Sequence, residues 1–370
     1  MKIVFVITGL GVGGAERQVV DLADRLIGLG HKVKIIYLTG NVQLRPTSDA
    51  VELIGLGLNK SPLGLIRAIF SLARHLRSIQ PDIVHSHMVH ANLLARLSRL
   101  IYRFPRLVCT AHNSNEGGMV RMLAYRATHG LADVSTNVSV EAVEAFEKKY
   151  AVPVGQMKPM VNGIDVRRFQ PNAADRIALR NALAWGDAKV FLAVGRLVEA
   201  KDYPNLISAF SILHKGIPSA RLCIVGDGPL RNAMESLVND LGLTQSVQFL
   251  GIRDDIPALM NAADFFVLSS AWEGFGLVVA EAMATQKIVI ATDCGGVAEV
   301  LGGHGILVKP KNSQMLADAM CAAISLDKVK AQDMVCAARA WVIDHYSIDG
   351  IVQEWVKVYG MNFKDAQVAN

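Results

Sequence analysis

Two glutamates flank a glycine-rich turn in the second half of the chain, and their spacing could hold a sugar joined to a diphosphate. Glu273 precedes Gly274 and Gly276, and Glu281 follows with seven residues between the two acids. The glycines let the backbone approach a ligand closely, and the first amides of a helix beginning there attract phosphate. Each carboxylate can accept hydrogen bonds from two neighbouring hydroxyls. The pattern predicts a nucleotide-sugar site, although a solvated loop acid before an amphipathic helix would give the same spacing.

The residues around these acids narrow the interpretation. The run EGFGLVVAEAM resembles the Glu-(seven residues)-Glu signature of family 4 glycosyltransferases, which are retaining enzymes of the two-domain GT-B fold. The resemblance implies that Glu281 holds the ribose hydroxyls of the donor. It also implies that Glu273 is a catalytic residue that holds hydroxyls of the transferred sugar. It also places the turn between the acids in the donor site: Gly274, Phe275, Gly276 and Leu277.

A loop with an arginine and a lysine follows the first predicted strand of the second half. In GRLVEAK, Arg196 offers a planar fork of donors and Lys201 a mobile point charge, and together they can neutralise a diphosphate during catalysis. The run resembles the family's phosphate-binding loop, in which glycine often follows the lysine, whereas this chain has Asp202. The resemblance also implies donor contacts at Gly226, in a glycine-rich turn, and at Ile252, whose backbone would pair with the nucleotide base.

The first turn of the chain matches a different cofactor pattern. Gly9, Gly11 and Gly14 reproduce the G-x-G-x-x-G fingerprint of dinucleotide binding, which keeps an NAD-linked oxidoreductase as an alternative. That fingerprint expects an acid at the end of the next strand, and residues 37–39 contain none. The other interpretation is that Gly13 and Gly14 approach a donor phosphate across an interdomain cleft, since GGAE resembles the corresponding loop of the family.

Histidines end predicted strands of the first half, at the sheet edge where α/β proteins bind ligands. His112 follows RLVCTA; its position matches a histidine of the family, which implies contact with the transferred sugar near the reacting carbon. A satisfied core histidine is the plain alternative. His85, His87 and His90 resemble a metal cluster, but no carboxylate or cysteine completes a ligand set. We therefore predict neither metal nor cofactor, and regard His87 and His90 as acceptor contacts.

Strand-like runs alternate with helical patterns in both halves, which predicts βαβ units around parallel sheets. Residues 152–171 are rich in proline and glycine, and their NGID motif resembles the family's interdomain linker. The expected fold is α/β of the GT-B type: a Rossmann-like acceptor domain at 1–165 and a Rossmann-like nucleotide-sugar domain at 166–346, with sheets facing across a cleft. An amphipathic helix at about 347–363 should return to complete the first domain.

The composition excludes several classes of protein. With 51% apolar residues, the 370-residue chain can form two cores, yet it contains no apolar run of about 18 residues that would predict a membrane span. The first strand meets glycines too soon for a signal peptide. Five cysteines without a C-x-x-C pair indicate reduced thiols. We therefore expect a cytoplasmic protein.

Basic charge is concentrated in the first half. Residues 1–165 carry 19 bases and 12 acids, and eight bases accompany one acid between Lys60 and Leu107. Six of these bases lie on two predicted helices, three along one face of each. They are Arg67, Arg74 and Arg77 on the first helix, and Arg96, Arg99 and Arg103 on the second. These faces are either solvated or bind anionic lipid headgroups at the membrane. A nucleic-acid partner is not expected, because no nucleic-acid module is present and few aromatics accompany the bases.

Together with the resemblance, these residues predict transfer of a hexose from a UDP-sugar to a lipid-linked or lipopolysaccharide glycan in O-antigen or capsule biosynthesis. VHSHMVHANLLAR and KDYPNLISAF are similar to segments of bacterial surface-polysaccharide enzymes. The resemblance implies retention by same-face attack, with the leaving anion met by Arg196, Lys201, the Gly13 and Gly14 amides and the helix start near Leu277. A nucleotide-sugar hydrolase or epimerase of the same fold and a non-catalytic sensor are alternatives.

Overall fold

The computed structural model of the protein describes residues 1–58, 61–114 and 117–360. The chain forms two compact units, which we call unit 1 and unit 2. Unit 1 comprises Met1–Gly163 and the chain from Ile348 onward, and unit 2 comprises Ile164–Ser347. The chain first passes from unit 1 to unit 2 between residues 163 and 164. This position is close to the boundary that the linker motif predicts between residues 165 and 166.

Unit 1 is built on a parallel seven-stranded sheet in the order β3-β2-β1-β4-β5-β6-β7. Its strands are β1 (Lys2–Ile7), β2 (Lys32–Tyr37), β3 (Glu52–Gly55), β4 (Ile83–His87), β5 (Arg106–Ala111), β6 (Val134–Asn137) and β7 (Lys158–Pro159). Every β1 residue after Lys2 is buried, because helices pack on both faces of the sheet. The aliphatic run KIVFVI thus forms a central strand, as is usual in parallel sheets.

Helices cover the two faces of the unit 1 sheet. They are α1 (Gly14–Gly28), α2 (Pro62–Ile79), α3 (Val89–Ser98), α4 (Met119–Thr128) and α5 (Val140–Lys148). Ile3, Phe5 and Ile7 of β1 belong to one core with α1, whereas Val4 and Val6 belong to another with α2 and α3. The alternation follows from the two-residue period of a strand.

Unit 2 has a six-stranded parallel sheet in the order β10-β9-β8-β11-β12-β13. Its strands are β8 (Val190–Val194), β9 (Arg221–Val225), β10 (Val247–Gly251), β11 (Phe265–Leu268), β12 (Ile288–Thr292) and β13 (Ile306–Val308). Its helices are α6 (Ala173–Ala182), α7 (Tyr203–Gly216), α8 (Arg231–Asp240), α9 (Ile256–Ala262), α10 (Leu277–Ala284), α11 (Val297–Leu301), α12 (Ser313–Ile324) and α13 (Lys328–Tyr346). The predicted α/β class with two Rossmann-like sheets is confirmed.

The strand order creates one reversal in each sheet. In unit 2 the chain runs outward from β8 through β9 to β10, and then returns to place β11 on the other side of β8. In unit 1 the same reversal separates β1 from β4. Loops on either side of a reversal diverge and leave a crevice at the carboxyl ends of the strands, where ligands of such sheets bind. The sites are therefore expected beyond β8 and β11, and beyond β1 and β4.

The last helix, α14 (Ile348–Gly360), returns to unit 1. Ile351, Trp355 and Tyr359 are buried with β1 and α1 in one core, and Asp349 pairs with Arg25 at 2.9 Å. The predicted continuation of this helix to 363 lies outside the described residues, as does Lys60. Within the described ranges, every helix is too short or too polar to cross a bilayer.

The interpretation of Arg96, Arg99 and Arg103 as one lipid-facing row is wrong. Arg96 is completely buried; its guanidinium donates to the Tyr125 carbonyl at 3.2 Å and lies 4.9 Å from the Tyr125 ring centroid. Arg99 pairs with Asp133 at 2.7 Å. The helical spacing that aligned these arginines also directs the first two toward polar partners inside unit 1, so their charges cannot meet a membrane.

Candidate functional site

The loop after β8 carries Arg196 and Lys201 at the carboxyl edge of the unit 2 sheet. The hydroxyl of Tyr203, at the start of α7, donates to the Gly195 carbonyl at 3.0 Å and ties the helix to this loop. Asp202 adopts a left-handed backbone with φ of 45°, a conformation that glycine adopts without strain. This conformation explains why glycine often follows the lysine in the phosphate-binding loop of the resembling family. The loop of this chain makes the same turn with Asp202 at that position.

Lys201 and Glu273 are partners. The Lys201 ammonium forms an ion pair with Oε1 of Glu273, and the hydroxyl of Ser270 donates to the same oxygen at 2.6 Å. The hydroxyl of Ser269 donates to the Lys201 carbonyl at 2.8 Å. The loops after β8 and β11 are thus bonded to each other, and they bring the cation nominated for a phosphate to the acid nominated for a sugar.

Arg196 differs from Lys201 in having no such partner. Its side chain is exposed, and it makes no ion pair or side-chain hydrogen bond with any residue of the described ranges. A guanidinium binds planar oxyanions through two parallel hydrogen bonds. The positive charge of Arg196 is therefore available to an oxyanion ligand, whereas the charge of Lys201 is balanced by Glu273.

The turn after β11 leads into α10 as the sequence predicts. Gly276 is left-handed, with φ of 84°, and no side chain caps the helix that starts at Leu277, so its first amides include groups without internal partners. Glu281 lies one turn further on and is only 8% exposed. The Phe275 ring packs edge-on against Tyr346 with centroids 5.3 Å apart, so only its backbone can reach a ligand.

A glycine pair after β12 supports this turn, and sequence reasoning missed its role. A Cβ on Gly295 would clash with the backbone of Glu273, and the amide of Gly296 donates to the Gly274 carbonyl at 3.2 Å. The signal was the glycine pair itself, which lies between the end of β12 and the start of α11. These residues fix the backbone that carries Glu273.

Gly226 and Ile252 lie at the same edge of the sheet. The amide of Gly226 donates to the Gly251 carbonyl at 2.8 Å, and a Cβ on Gly226 would clash with the Gly195 carbonyl. Gly226 therefore packs the loop after β9 against the loop that carries Arg196. Ile252 follows the end of β10, and its side chain is exposed. All the residues nominated in the second half thus lie beyond the carboxyl ends of neighbouring strands, and their roles stay predictions.

The nominated glycines of unit 1 begin α1. Gly13 is its N-cap with an extended backbone, and Gly14 is its first residue. A Cβ on Gly13 would clash with the carboxylate of Glu16, which lies beside the helix start. An acid at this place is unfavourable for any phosphate, so it weakens the dinucleotide and the donor-phosphate interpretations of these glycines alike. Whether Gly13 and Gly14 meet a donor phosphate stays a prediction.

His112 lies just beyond β5 and is bonded to His87 at the end of β4. Nδ1 of His87 and Nε2 of His112 are 2.9 Å apart. Burial lowers the pKa of His112 to about 4, so the ring is neutral at neutral pH. The interpretation of His87 as an acceptor contact is wrong, because its side chain is buried, whereas His90 lies in α3 with an exposed side chain. No group of three potential ligands in the described part of the chain could hold a metal ion.

Comparison with known proteins identifies the family of the chain. A sequence model of glycosyltransferase family 4 matches residues 12–168, and one of glycosyl transferases group 1 matches residues 175–341. An uncharacterized glycosyltransferase of Methanocaldococcus jannaschii is 28% identical over 94% of both chains. An N-acetylgalactosaminyltransferase of Campylobacter jejuni, which acts on a diphospho-undecaprenol-linked sugar, is 25% identical over 94% of this chain and 97% of its own.

Solved structures share the fold. The Anabaena protein HepE, in complex with UDP and glucose, superposes with a TM-score of 0.85 over 97% of this chain and 99% of its own, at 23% identity. Both matched sequence models describe glycosyltransferases, which argues against the oxidoreductase alternative. The chain therefore belongs to the glycosyltransferases that join a family 4 segment to a group 1 segment on the GT-B fold.

Proposed function

We propose that this glycosyltransferase moves a hexose from a UDP-sugar, with retention of configuration, to a lipid-linked or lipopolysaccharide glycan during synthesis of a surface polysaccharide. The observation that carries the proposal is the convergence of Arg196, Lys201 and Glu273 with the start of α10 at the reversal of the unit 2 sheet. This edge combines two cations, a carboxylate and uncapped amides, which are the groups that a sugar diphosphate requires.

The relatives support the choice of donor and acceptor. HepE binds UDP and glucose on the same fold, which favours a UDP-sugar among nucleotide donors. The Campylobacter jejuni enzyme is named for an acceptor linked to diphospho-undecaprenol, which favours a glycan on an anionic lipid carrier. A hydrolase, an epimerase or a sensor would need the same nucleotide-binding edge but would transfer no sugar to this acceptor.

The proposed reaction places charge where this edge can stabilise it. As the anomeric bond breaks, the sugar gains positive charge and the departing diphosphate gains negative charge. Arg196, Lys201 and the first amides of α10 stabilise the diphosphate, and such preorganised donors contribute several kcal/mol. Glu281 holds the ribose hydroxyls and Glu273 the sugar hydroxyls. The acceptor oxygen attacks from the face that the phosphate leaves, and a phosphate oxygen takes its proton.

Donor screening tests the proposal directly. Because a ligand stabilises the state that binds it, UDP at about 100 times its Kd should raise the melting temperature by about 5–10 °C, while GDP and ADP should have smaller effects. Incubation with α-linked UDP-hexoses and a synthetic prenyl-diphosphate glycan should give an α-linked product by NMR. A β-linked product, or stabilisation by GDP in place of UDP, would contradict the proposal.

We further propose that α2 contacts the membrane that carries the acceptor. Six exposed residues of α2 at helical spacing form one surface, which we call the basic apolar face of α2: Leu63, Ile66, Arg67, Phe70, Arg74 and Arg77. The exposed Leu100 and Ile101 extend this face, since the Ser98 hydroxyl donates to the Ile69 carbonyl at 3.1 Å. Apolar side chains flanked by arginines favour the interface of an anionic bilayer.

Charge reversal on this face should weaken vesicle binding. Each base near an anionic surface contributes about 1 kcal/mol, so the triple variant Arg67→Glu, Arg74→Glu and Arg77→Glu should bind phosphatidylglycerol vesicles at least about a hundredfold more weakly in sedimentation assays. The matched control reverses three exposed bases elsewhere in unit 1: Lys32, Arg45 and Lys148. Equal losses in both variants would show that net charge, and not this face, determines binding.

A further inference from the structure

Unit 1 contains a buried row of polar rings that the proposed donor chemistry does not use. Nδ1 of His85 lies 2.7 Å from the hydroxyl of Tyr359 in α14, and its Nε2 lies 2.7 Å from Oγ1 of Thr110. The rings of His85 and His87 have centroids 4.0 Å apart, and His87 is bonded to His112. The row therefore runs from the last helix across β4 to the loop after β5.

The two-residue period of β4 explains why its histidines lie together. His85 and His87 are two positions apart and so point to the same face of the sheet, where Trp355 covers His85 with ring centroids 4.5 Å apart. Thr110 is the register partner of His87 on β5, and His112 is two residues further along. The sheet register thus brings His112 beside His87.

Burial keeps these imidazoles neutral. It lowers the pKa of His87 well below its usual range, and the neighbouring His85 and His112 lower it further; the pKa of His85 is lowered for the same reasons, burial and His112. A neutral imidazole has one N–H donor and one bare acceptor nitrogen. The bond between His87 and His112 therefore has two possible proton placements, and each fixes a different tautomer of His112.

The surroundings of His87 favour one of these placements. Its Nε2 is buried and has no hydrogen-bond partner. If His112 were the donor, His87 would carry its proton on this nitrogen, and a buried N–H would be left unpaired. Unpaired N–H groups are rarer in protein interiors than unpaired acceptors. The favoured state has the proton on Nδ1 of His87.

We propose that His87 is a positioning residue: its Nδ1–H donates to Nε2 of His112 and holds that ring in the tautomer protonated at Nδ1. The functional part rests on the proposed function, in which His112 contacts the transferred sugar. Because Nε2 accepts from His87, the ring carries its hydrogen on Nδ1 and has no bare nitrogen that could take a proton. His112 then orients the sugar and removes no proton.

Long-range ¹H–¹⁵N correlation spectra of the full chain, labelled at histidine and assigned with a His112→Gln variant, test the proton position without any substrate. The wild-type His112 signal should be that of a ring protonated at Nδ1. His87→Phe should release it into a mixture of tautomers, whereas His87→Asn, whose amide can donate from nearly the same place, should preserve it. A wild-type ring protonated at Nε2, or an unchanged signal in His87→Phe, would overturn the proposal.

Tyr359→Phe is the matched control, because it removes a buried hydroxyl from the same row and leaves the His87–His112 bond intact. The His112 tautomer should not change in this variant, and a change would overturn the assignment to His87.

Kinetic measurements test the positioning role of His87 separately from the proposed function. His87→Phe should lower kcat for transfer about tenfold, with donor KM within about twofold, and His87→Asn should recover most of it. An altered tautomer with normal kcat would overturn the role of His112 in transfer.

Discussion

Transfer by the Lys201→Ala variant should fall by about two to three orders of magnitude in kcat, the loss expected when one preorganised donor to a developing anion is removed. Lys201 is proposed to stabilise the departing diphosphate. The same change leaves the carboxylate of Glu273, which is 13% exposed, without its cation. Initial rates with the UDP-sugar found by donor screening, with circular dichroism to verify folding, provide the measurement.

Two control variants distinguish the effect of losing the Lys201 charge from the effect of leaving the Glu273 carboxylate unpaired. Lys215→Ala removes an exposed lysine from the far end of α7, and its rate should remain normal. Glu273→Gln in the Lys201→Ala background removes the unpaired charge; if that charge caused the defect, activity should return. We expect it to fall further, because Glu273 is proposed to hold sugar hydroxyls. A folded Lys201→Ala variant with near-normal turnover would disprove the role of Lys201.

Glu281→Ala should weaken UDP binding by about 10- to 150-fold, since hydrogen bonds to a charged group contribute roughly 1.5–3 kcal/mol. Glu281 lies one turn into α10 and is almost fully buried, and it is proposed to hold the ribose hydroxyls. Isothermal titration calorimetry with UDP measures the loss in the absence of any acceptor or turnover.

A ligand-side control makes this test specific. Removal of the 2′-hydroxyl from UDP should weaken binding to the wild type, but it should have a smaller effect on Glu281→Ala, because the two changes remove the same interaction. Glu235→Ala, which removes an exposed acid of α8, should bind both ligands like the wild type. Fully additive losses from the variant and the deoxy ligand would contradict a ribose contact.

The α/β class with two parallel sheets was predictable from the sequence, because buried parallel strands leave strong local patterns. The start of α10 at Leu277 followed from two glycines after an apolar run. Interactions over long sequence distances were not predictable in this way. Nothing local indicates that Arg96 is buried, since its partners at Tyr125 and Ser135 come from elements that only the sheet brings near.

The same limit applies at the candidate site. Arg196, Lys201 and Glu273 were each found from local motifs, but the bond between Lys201 and Glu273 joins loops that are neighbours only because β11 returns to lie beside β8. The contact of His87 with His112 likewise depends on strand register. Spacing along the chain predicts which residues lie at the ligand-binding edge of a sheet. Which side chains pair with each other there depends on the strand order and register.

The return of α14 to unit 1 has a consequence for how the protein is made. The core around Phe5 includes Trp355 and Tyr359, so the ribosome must synthesise the whole of unit 2 before unit 1 can bury that face. Chains fold domain by domain during synthesis, and unit 2, which is continuous in sequence, can fold first. A nascent chain stalled before Ile348 would expose the apolar surface of unit 1 that α14 covers. We expect chaperones to bind the stalled chain at this surface.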